Sequence, residues 1–336
     1  MKIALPYNTH FGEYNSDVVV GGIEKFCHQI VDLYEDVHIV NIDNDNESVR
    51  SNTDKIKSFA KDINADIIIS NWHQASFTGA KIVDSEVPIM FVHHSGPSMG
   101  STIGSILRLR ANSHSCYFVS EHQQKRYQDM AKRLKADKIV IDGYINSSYV
   151  EGDKPKLQSI EYDCATIGRC DPVEKRPFLL KSYLKGTHYN SLIITNTPKI
   201  DKEKKYLERN SHWDGVVLDL NHSDVMKTIG KSMTYFSTCW DESWGITALE
   251  ALSHGVPIIL NSKDGTHASE SIVGSKAHYR IVNKSSEQLI SAIESLRQSD
   301  RQEIQDMTWE KHSLKKWKNE FENAVDKTVE NFKKTP

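Results

Sequence analysis

Short β-branched and apolar runs alternate with stretches of helical periodicity from one end of this chain to the other, and that alternation restricts the fold more than any other feature. In the first half the strand-like runs are 2–5, 37–42, 66–70, 89–92, 116–119 and 138–141, with helical stretches at 22–33, 53–64 and 121–135. In the second half strands are expected at 162–167, 191–195, 215–218, 233–237 and 257–260, and helices at 176–184, 223–230, 247–254 and 286–297. Such repetition predicts βαβ units and parallel sheets. The runs are nearly continuous in apolar character, the pattern of strands covered on both faces. A polar segment at 151–158 interrupts the alternation. The expected organisation is therefore an N-terminal Rossmann-like domain over 1–155, a second over 156–310, and a C-terminal helix over 311–336 that returns to the first. The two sheets are expected to face each other across a ligand cleft. In the tail, Trp309, Leu314, Trp317, Phe321 and Ala324 recur at helical spacing, as on one buried stripe.

A length of 336 residues fits two such domains. With 38% hydrophobic and 26% charged residues, the chain is neither disordered nor a disulfide scaffold. Its longest apolar runs fall far short of the roughly 20 residues that span a bilayer. No secretory apolar region follows Met1 and Lys2. The five cysteines form no CxxC pair, which reads as free thiols in a reducing compartment. A cytoplasmic location without stable membrane insertion is expected. With a net charge of −3 the chain as a whole is not an obvious polyanion binder, but the charge is uneven. Residues 1–100 carry 7 basic and 14 acidic groups, whereas 101–138 carry 8 basic and 3 acidic.

Four segments carry chemistry. In 242–257, E-S-W-G-I-T-A-L-E-A-L-S-H-G-V-P, Glu242 and Glu250 stand eight apart and Gly245 opens a helix. The amides of Gly245, Ile246 and Thr247 at a helix N-terminus form a ready anion site. One carboxylate before the helix and one inside it are placed to grip hydroxyls on either side of a diphosphate. The second segment, 167–177, puts Arg169, Lys175 and Arg176 between a strand and a helix. The third, 20–26, places Gly21 and Gly22 after the first strand. The fourth, 91–97, puts His93 and His94 at a strand end, where ligands collect in open α/β sheets. Adjacent strand residues point to opposite sides, so only one of the two histidines should face the ligand, with His93 favoured. Neighbouring histidines do not readily chelate one ion and no Asp-x-Asp lies nearby, so no metal site is expected.

These segments resemble the retaining nucleotide-sugar glycosyltransferases of the GT-B fold, the group 1 or family 4 type, whose signature is E-G-F-G-(three residues)-L-E-A-M-A-x-G-x-P. The register is kept throughout, with Ser243 and Trp244 as departures. The resemblance implies that Glu250 holds ribose hydroxyls and Glu242 holds the transferred sugar. It implies that Arg169 and Lys175 bind the donor diphosphate, with Arg176 as a possible substitute for Lys175. Gly21 and Gly22 would let the chain approach the phosphates. His93 would touch the sugar, and the backbone of Val217 and Leu218 would read the base. Weaker likenesses fall on the strand end at Val119, on Asp264 and Gly265, and on Glu270. The implied reaction is a metal-independent, retaining transfer from a nucleotide-diphosphate sugar, with UDP as the expected nucleotide and no further cofactor.

The basic island bears on the acceptor. Arg108, Arg110, Lys125, Arg126, Lys132 and Arg133 sit on a stretch whose apolar side is poor for a bilayer. They suit a phosphate backbone better. With the compact size, this resembles the bacteriophage enzymes that glycosylate 5-hydroxymethylcytosine in double-stranded DNA, which would act in the host cell cytoplasm. The alternatives are a glycan, lipid or small-molecule acceptor, or a nucleotide-sugar epimerase of the same fold.

Overall fold

A computed structural model describes residues 1–8, 22–43, 47–71, 85–94, 113–133, 141–240, 242–263, 265 and 267–334, with the backbone alone at 8, 49, 50, 130, 131 and 133. The chain divides into two compact units, one formed by Met1–Ser148 with Lys315–Pro336 and the other by Tyr149–Leu314. The expected domain break at 155 thus falls at 148, and the polar segment belongs to the second unit.

The first unit holds β1 (Ile3–Asn8), α1 (Gly22–Leu33), β2 (Val37–Ile42), α2 (Val49–Asp62), β3 (Ile67–Ser70), β4 (Ile89–His93), β5 (Ser115–Phe118), α3 (Glu121–Arg133) and β6 (Gly143–Tyr144). Its six strands pair in the order β2-β1-β3-β4-β5-β6, all parallel. Every residue of β3, β4 and β5 is buried, as expected of strands covered on both faces. One face packs Ala4, Val40, Ile42, Ile68 and Ile89 against Ile56 and Ala60 of α2. The side chain of Ser48 caps α2 by accepting from the Ser51 amide at 3.1 Å. The strand expected at 138–141 lies mostly outside the described residues, and β6 follows it.

The second unit holds β7 (Tyr162–Ile167), α4 (Leu179–Tyr183), β8 (Ser191–Thr195), α5 (Asp201–Asn210), β9 (Val216–Leu218), α6 (His222–Ile229), β10 (Ser232–Ser237), α7 (Ile246–Ser253), β11 (Ile258–Asn261), β12 (Tyr279–Val282), α8 (Ser286–Leu296) and α9 (Arg301–Lys311). Its strands run parallel in the order β12-β11-β10-β7-β8-β9. The order reverses between β7 and β10. Loops leaving those two strands part to opposite faces, so a crevice opens outside their C-terminal ends. Cys164, Phe178, Ile193, Phe236, Ile259 and Ile293 fill one side of this sheet.

Two helices escape the sequence pattern. Helix α5 buries no residue fully, and Tyr206 and Leu207 are the apolar residues it packs on the core, too few to stand out as a stripe. Helix α9 is held at its start by Asp300, which accepts from the Gln302 and Glu303 amides at 2.9 and 3.1 Å. The expected helix at 176–184 begins only at Leu179, because Arg176 takes a left-handed conformation (φ 41°). The tail is not one helix with one stripe. It breaks at His312, and α10 (Leu314–Lys333) starts anew. Trp309 donates to the Ser253 carbonyl at 3.0 Å within the second unit, and Leu314 is exposed. Trp317, Phe321 and Ala324 are buried within the first unit, where Trp317 donates to the Asn146 carbonyl at 2.8 Å and stacks on Phe321.

Candidate active site

The switch between β7 and β10 gathers the second unit's charged motif residues. Lys175 lies in the loop after β7 and Glu242 in the loop after β10, and their side chains form an ion pair. Burial by itself would lower the Lys175 ammonium and raise the Glu242 carboxyl. Their mutual attraction outweighs it, holding the lysine above its ordinary range and the carboxyl below. Arg169 is 62% exposed and reaches Glu174 only at 3.5 Å. Its charge is nonetheless felt at Lys175.

Helix α7 begins beside this pair. Ala248, Leu249, Ala251 and Leu252 face the core and leave Thr247 and Glu250 on the other side. Glu250 is the fifth residue of the helix, about 6 Å along its axis at 1.5 Å per residue. Helical side chains lean toward the N-terminus, so its carboxylate covers the first turn. Glu250 Oε1 lies 3.8 Å from His222 Nε2, at the start of α6. The Gly245 carbonyl accepts the Ala248 and Leu249 amides, each at 3.1 Å, and so starts the helix. The amides of Gly245, Ile246 and Thr247 precede those bonds, as first-turn amides do.

Gly245 has φ 102°. A Cβ there would stand 2.1 Å from Ser269 Oγ, which itself donates to the Trp244 carbonyl at 3.0 Å. Gly245→Ala should therefore cost about 2–4 kcal/mol of stability, from left-handed strain and overpacking together. Chemical denaturation of the full chain reads this directly. Adding Ser269→Ala should recover only the steric part.

The sequence pattern did not reveal Tyr235, in the middle of β10. Its hydroxyl points to the Ile167 carbonyl at 3.5 Å, and both Glu242 and Glu250 bear on it. Burial first, then those carboxylates, raise its pKa, so it stays a neutral phenol. Nor did the pattern reveal His267. Its Nδ1 accepts the Ser269 amide at 3.1 Å, leaving the proton on Nε2, which donates to the Cys239 carbonyl at 3.1 Å. Burial lowers its pKa and keeps it neutral behind Glu242. Neither residue belongs to a local motif. They meet the site only because β10 and the turn after β11 converge there.

Other expected positions fall differently. Arg176 does not duplicate Lys175: its guanidinium donates to the Thr238 carbonyl at 2.8 Å and lies 3.6 Å from the Trp240 ring centroid. Both oxygens of Glu270 serve local structure, accepting the His267 amide at 2.6 Å and the Tyr279 hydroxyl at 2.9 Å. Val217 and Leu218 lie on the edge strand β9, with Leu218 exposed. Asp264 lies outside the described residues.

In the first unit, Gly22 opens α1 and Gly21 lies outside the described residues. His93 is only 1% exposed; its Nε2 stands 2.9 Å from the Tyr127 hydroxyl and its ring meets the edge of Phe118. His94 packs on Phe26 and stands 3.4 Å from Asn71 Oδ1. The expectation that one of the pair is open to ligand thus meets two buried rings, because α1 and α3 close over both faces of β4. On α3, Lys125 and Lys132 are exposed and Arg126 is half-buried. Lys125 pairs with Glu121 one turn earlier at 2.6 Å. The Arg133 side chain, Arg108 and Arg110 lie outside the described residues. Among the described residues no group of His, Cys, Asp and Glu is arranged to hold a metal ion. No described helix is long and apolar enough to cross a membrane.

Two parallel, doubly wound units with a C-terminal helix returning to the first define the GT-B fold, and solved structures agree. The chain is similar to Anabaena HepE in complex with UDP (TM-score 0.72, 12% identity, covering 97% of this chain and 100% of that one). It is also similar to sucrose-phosphate synthase from Thermosynechococcus elongatus (TM-score 0.65, 12% identity, 94% and 96% covered). Against a chain of the GtfA/B complex the TM-score is 0.61 at 13% identity, covering 83% of this chain and 61% of that one. No protein-family model matches the sequence, and no curated protein is similar to it in sequence.

Proposed function

We propose that this chain is a glycosyltransferase that takes a sugar from a nucleotide diphosphate, with UDP as the nucleotide. One observation carries the reading. Lys175 and Glu242, 67 residues apart, meet at the sheet's switch point beside a helix N-terminus, on a fold shared with a protein bound to UDP. Lys175, Arg169 and the amides of Gly245, Ile246 and Thr247 hold the diphosphate and stabilise the charge that develops as it leaves. Glu250 takes the ribose hydroxyls and Glu242 orients the sugar. Val217 and Leu218 offer backbone to the base. The reaction we infer is a retaining, metal-independent transfer in which the leaving phosphate oxygen takes the acceptor's proton. The burial of His93 against Tyr127 supports a structural role for this histidine rather than a contact with the sugar.

The acceptor we propose is 5-hydroxymethylcytosine in duplex DNA, supported by the exposed Lys125 and Lys132 on α3 and by the basic run that includes Arg108 and Arg110. Such an enzyme must draw the base out of the stack. Incubation with UDP-sugars and DNA containing the modified base, followed by nucleoside mass analysis, tests this. Mass gained on a glycan or lipid instead would remove the DNA reading and leave the transferase. Release of UDP that depends on an acceptor separates transfer from epimerisation.

The site residues make separable predictions. Glu250→Ala should raise the dissociation constant for UDP about tenfold, measured by calorimetry, because a hydrogen bond to a charged group contributes about 1.5–3 kcal/mol. Arg169→Ala should lower kcat about a hundredfold, a larger effect than on affinity for the intact donor, because the charge it meets is complete only as the diphosphate leaves. Wild-type behaviour in both variants would dismiss the site.

A further inference from the structure

Beyond Glu242, toward the β12 edge of the same sheet, lies a second charged cluster that the donor site does not use. Trp240 follows β10. Arg176 Cζ lies 3.6 Å from its ring centroid, Lys263 Nζ 3.7 Å and Lys284 Nζ 4.9 Å. No two of these charges can be more than about 9 Å apart, close to the Debye length of about 8 Å at physiological salt. None of the three forms an ion pair with a carboxylate among the described residues. The ring's quadrupole contributes about 0.5–1 kcal/mol per exposed cation, which gathers the cations but does not neutralise them.

The platform is built into the fold. Arg176, Trp240, Lys263 and Lys284 follow the C-terminal ends of β7, β10, β11 and β12, four adjacent strands. The Thr238 carbonyl accepts both Arg176 Nη2 at 2.8 Å and Asn261 Nδ2 at 3.0 Å, tying three of the loops together. Asn283 Nδ2 reaches the Lys263 carbonyl at 3.5 Å and adds the fourth. Arg176 keeps a left-handed backbone (φ 41°), and its Nε is buried without a partner. Lys284 is also left-handed (φ 50°). Local backbone preference is thus overridden at two of the three cations, and the surroundings hold them in place.

From this geometry we infer a phosphate-binding site at Trp240, formed by Arg176, Lys263 and Lys284, that holds a phosphate carried by the acceptor. The assignment to the acceptor rests on the transferase reading. Along the sheet edge, Glu250 with His222 lies on the β9 side, Lys175 with Glu242 at the switch, and Trp240 with the two lysines on the β12 side. The donor diphosphate is already served at the switch by Lys175 and the α7 amides. A phosphate at Trp240 sits past the transferred sugar, where an acceptor would bring it. Its oxygens would take charge-assisted hydrogen bonds from the guanidinium and ammonium groups.

The test compares wild type with the double variant Lys263→Ala/Lys284→Ala, using the full chain in excess UDP so that the donor site is filled. Inorganic phosphate is titrated by calorimetry and a short unmodified DNA duplex by anisotropy across a salt series. UDP affinity should be unchanged. Duplex affinity should fall at least about tenfold, and the slope of log K against log salt should shrink by about two, one for each lost phosphate contact. Loss confined to inorganic phosphate would support the site with a free phosphomonoester as its source. Lys263→Arg/Lys284→Arg should keep the affinity. Unchanged affinity for both probes in the alanine variant would overturn the site. If neither protein binds UDP, the transferase reading fails, yet the phosphate and duplex titrations still decide this one.

Discussion

Replacing Lys175 by alanine should lower kcat about a thousandfold while the chain still folds. In the proposed reaction Lys175 meets the charge that gathers on the departing diphosphate, and removing one preorganised partner of that kind costs about 10²–10³ in turnover. It also leaves Glu242 without its counter-charge. The pair is only partly buried, so the stability loss should stay near 1–3 kcal/mol, below the 3–5 seen when a fully buried pair is broken. The pH dependence follows from the directions of the shifts. The Glu242 carboxyl is depressed in the folded chain, so its stabilising charge is present above the unfolded value and fades as pH falls through the lowered folded value. Lys175 is raised, so its share is complete below the ordinary lysine range and fades only as pH climbs through the raised value. The pair is therefore ionised across the neutral range. In Lys175→Ala the acid limb of the rate profile should move to higher pH, because burial then acts on Glu242 without the opposing ammonium. Steady-state rates with saturating donor, with circular dichroism as a folding control, check both statements. A wild-type kcat would remove Lys175 from the chemistry.

Arg301→Ala should destabilise the chain by about 3 kcal/mol without touching the donor site. The Arg301 guanidinium donates to the carbonyls of Gly255 at 3.1 Å, Gln158 at 3.0 Å, Gly230 at 2.6 Å and His254 at 3.2 Å. Gly230 and His254 are the C-terminal caps of α6 and α7, where the unpaired carbonyls of both helices point. A cation there satisfies acceptors and opposes the negative ends of two helix dipoles. Burial lowers the Arg301 pKa, but a guanidinium starts so high that it keeps its charge. Losing a shared donor from several part-buried carbonyls costs about 1–3 kcal/mol each, not additively. The melting temperature should drop by roughly 5–10 °C. Arg301→Lys should recover only part of it, since an ammonium lacks the planar fork that spans four carbonyls. Scanning calorimetry on the full chain reads the shift, and a change below about 1 °C would show that water replaces the guanidinium at no cost.

The sheets were legible because buried parallel strands are written as apolar runs, and β2, β7 and β8 occur where those runs lie. Helix α5 turns only Tyr206 and Leu207 to the core, too few apolar residues to mark a period. The single tail stripe proved to be two, since helical spacing persists across the break at His312 while the packing partner changes. At the site, the E-x7-E spacing and Gly245 were visible because a helix start enforces them locally. Tyr235, His267 and Ser269 were not visible, because strand register brings them there.

By itself the sequence determined two parallel α/β units and the segments that bear carboxylates, cations and a glycine turn, since hydrophobic period and turn chemistry are properties of neighbours along a chain. Only the tertiary structure decided which charges meet. It paired Lys175 with Glu242, turned Arg176 away onto Trp240 and closed His93 against Tyr127. Strand order and crossover connections set those distances, and the spacing of residues along the chain does not encode them.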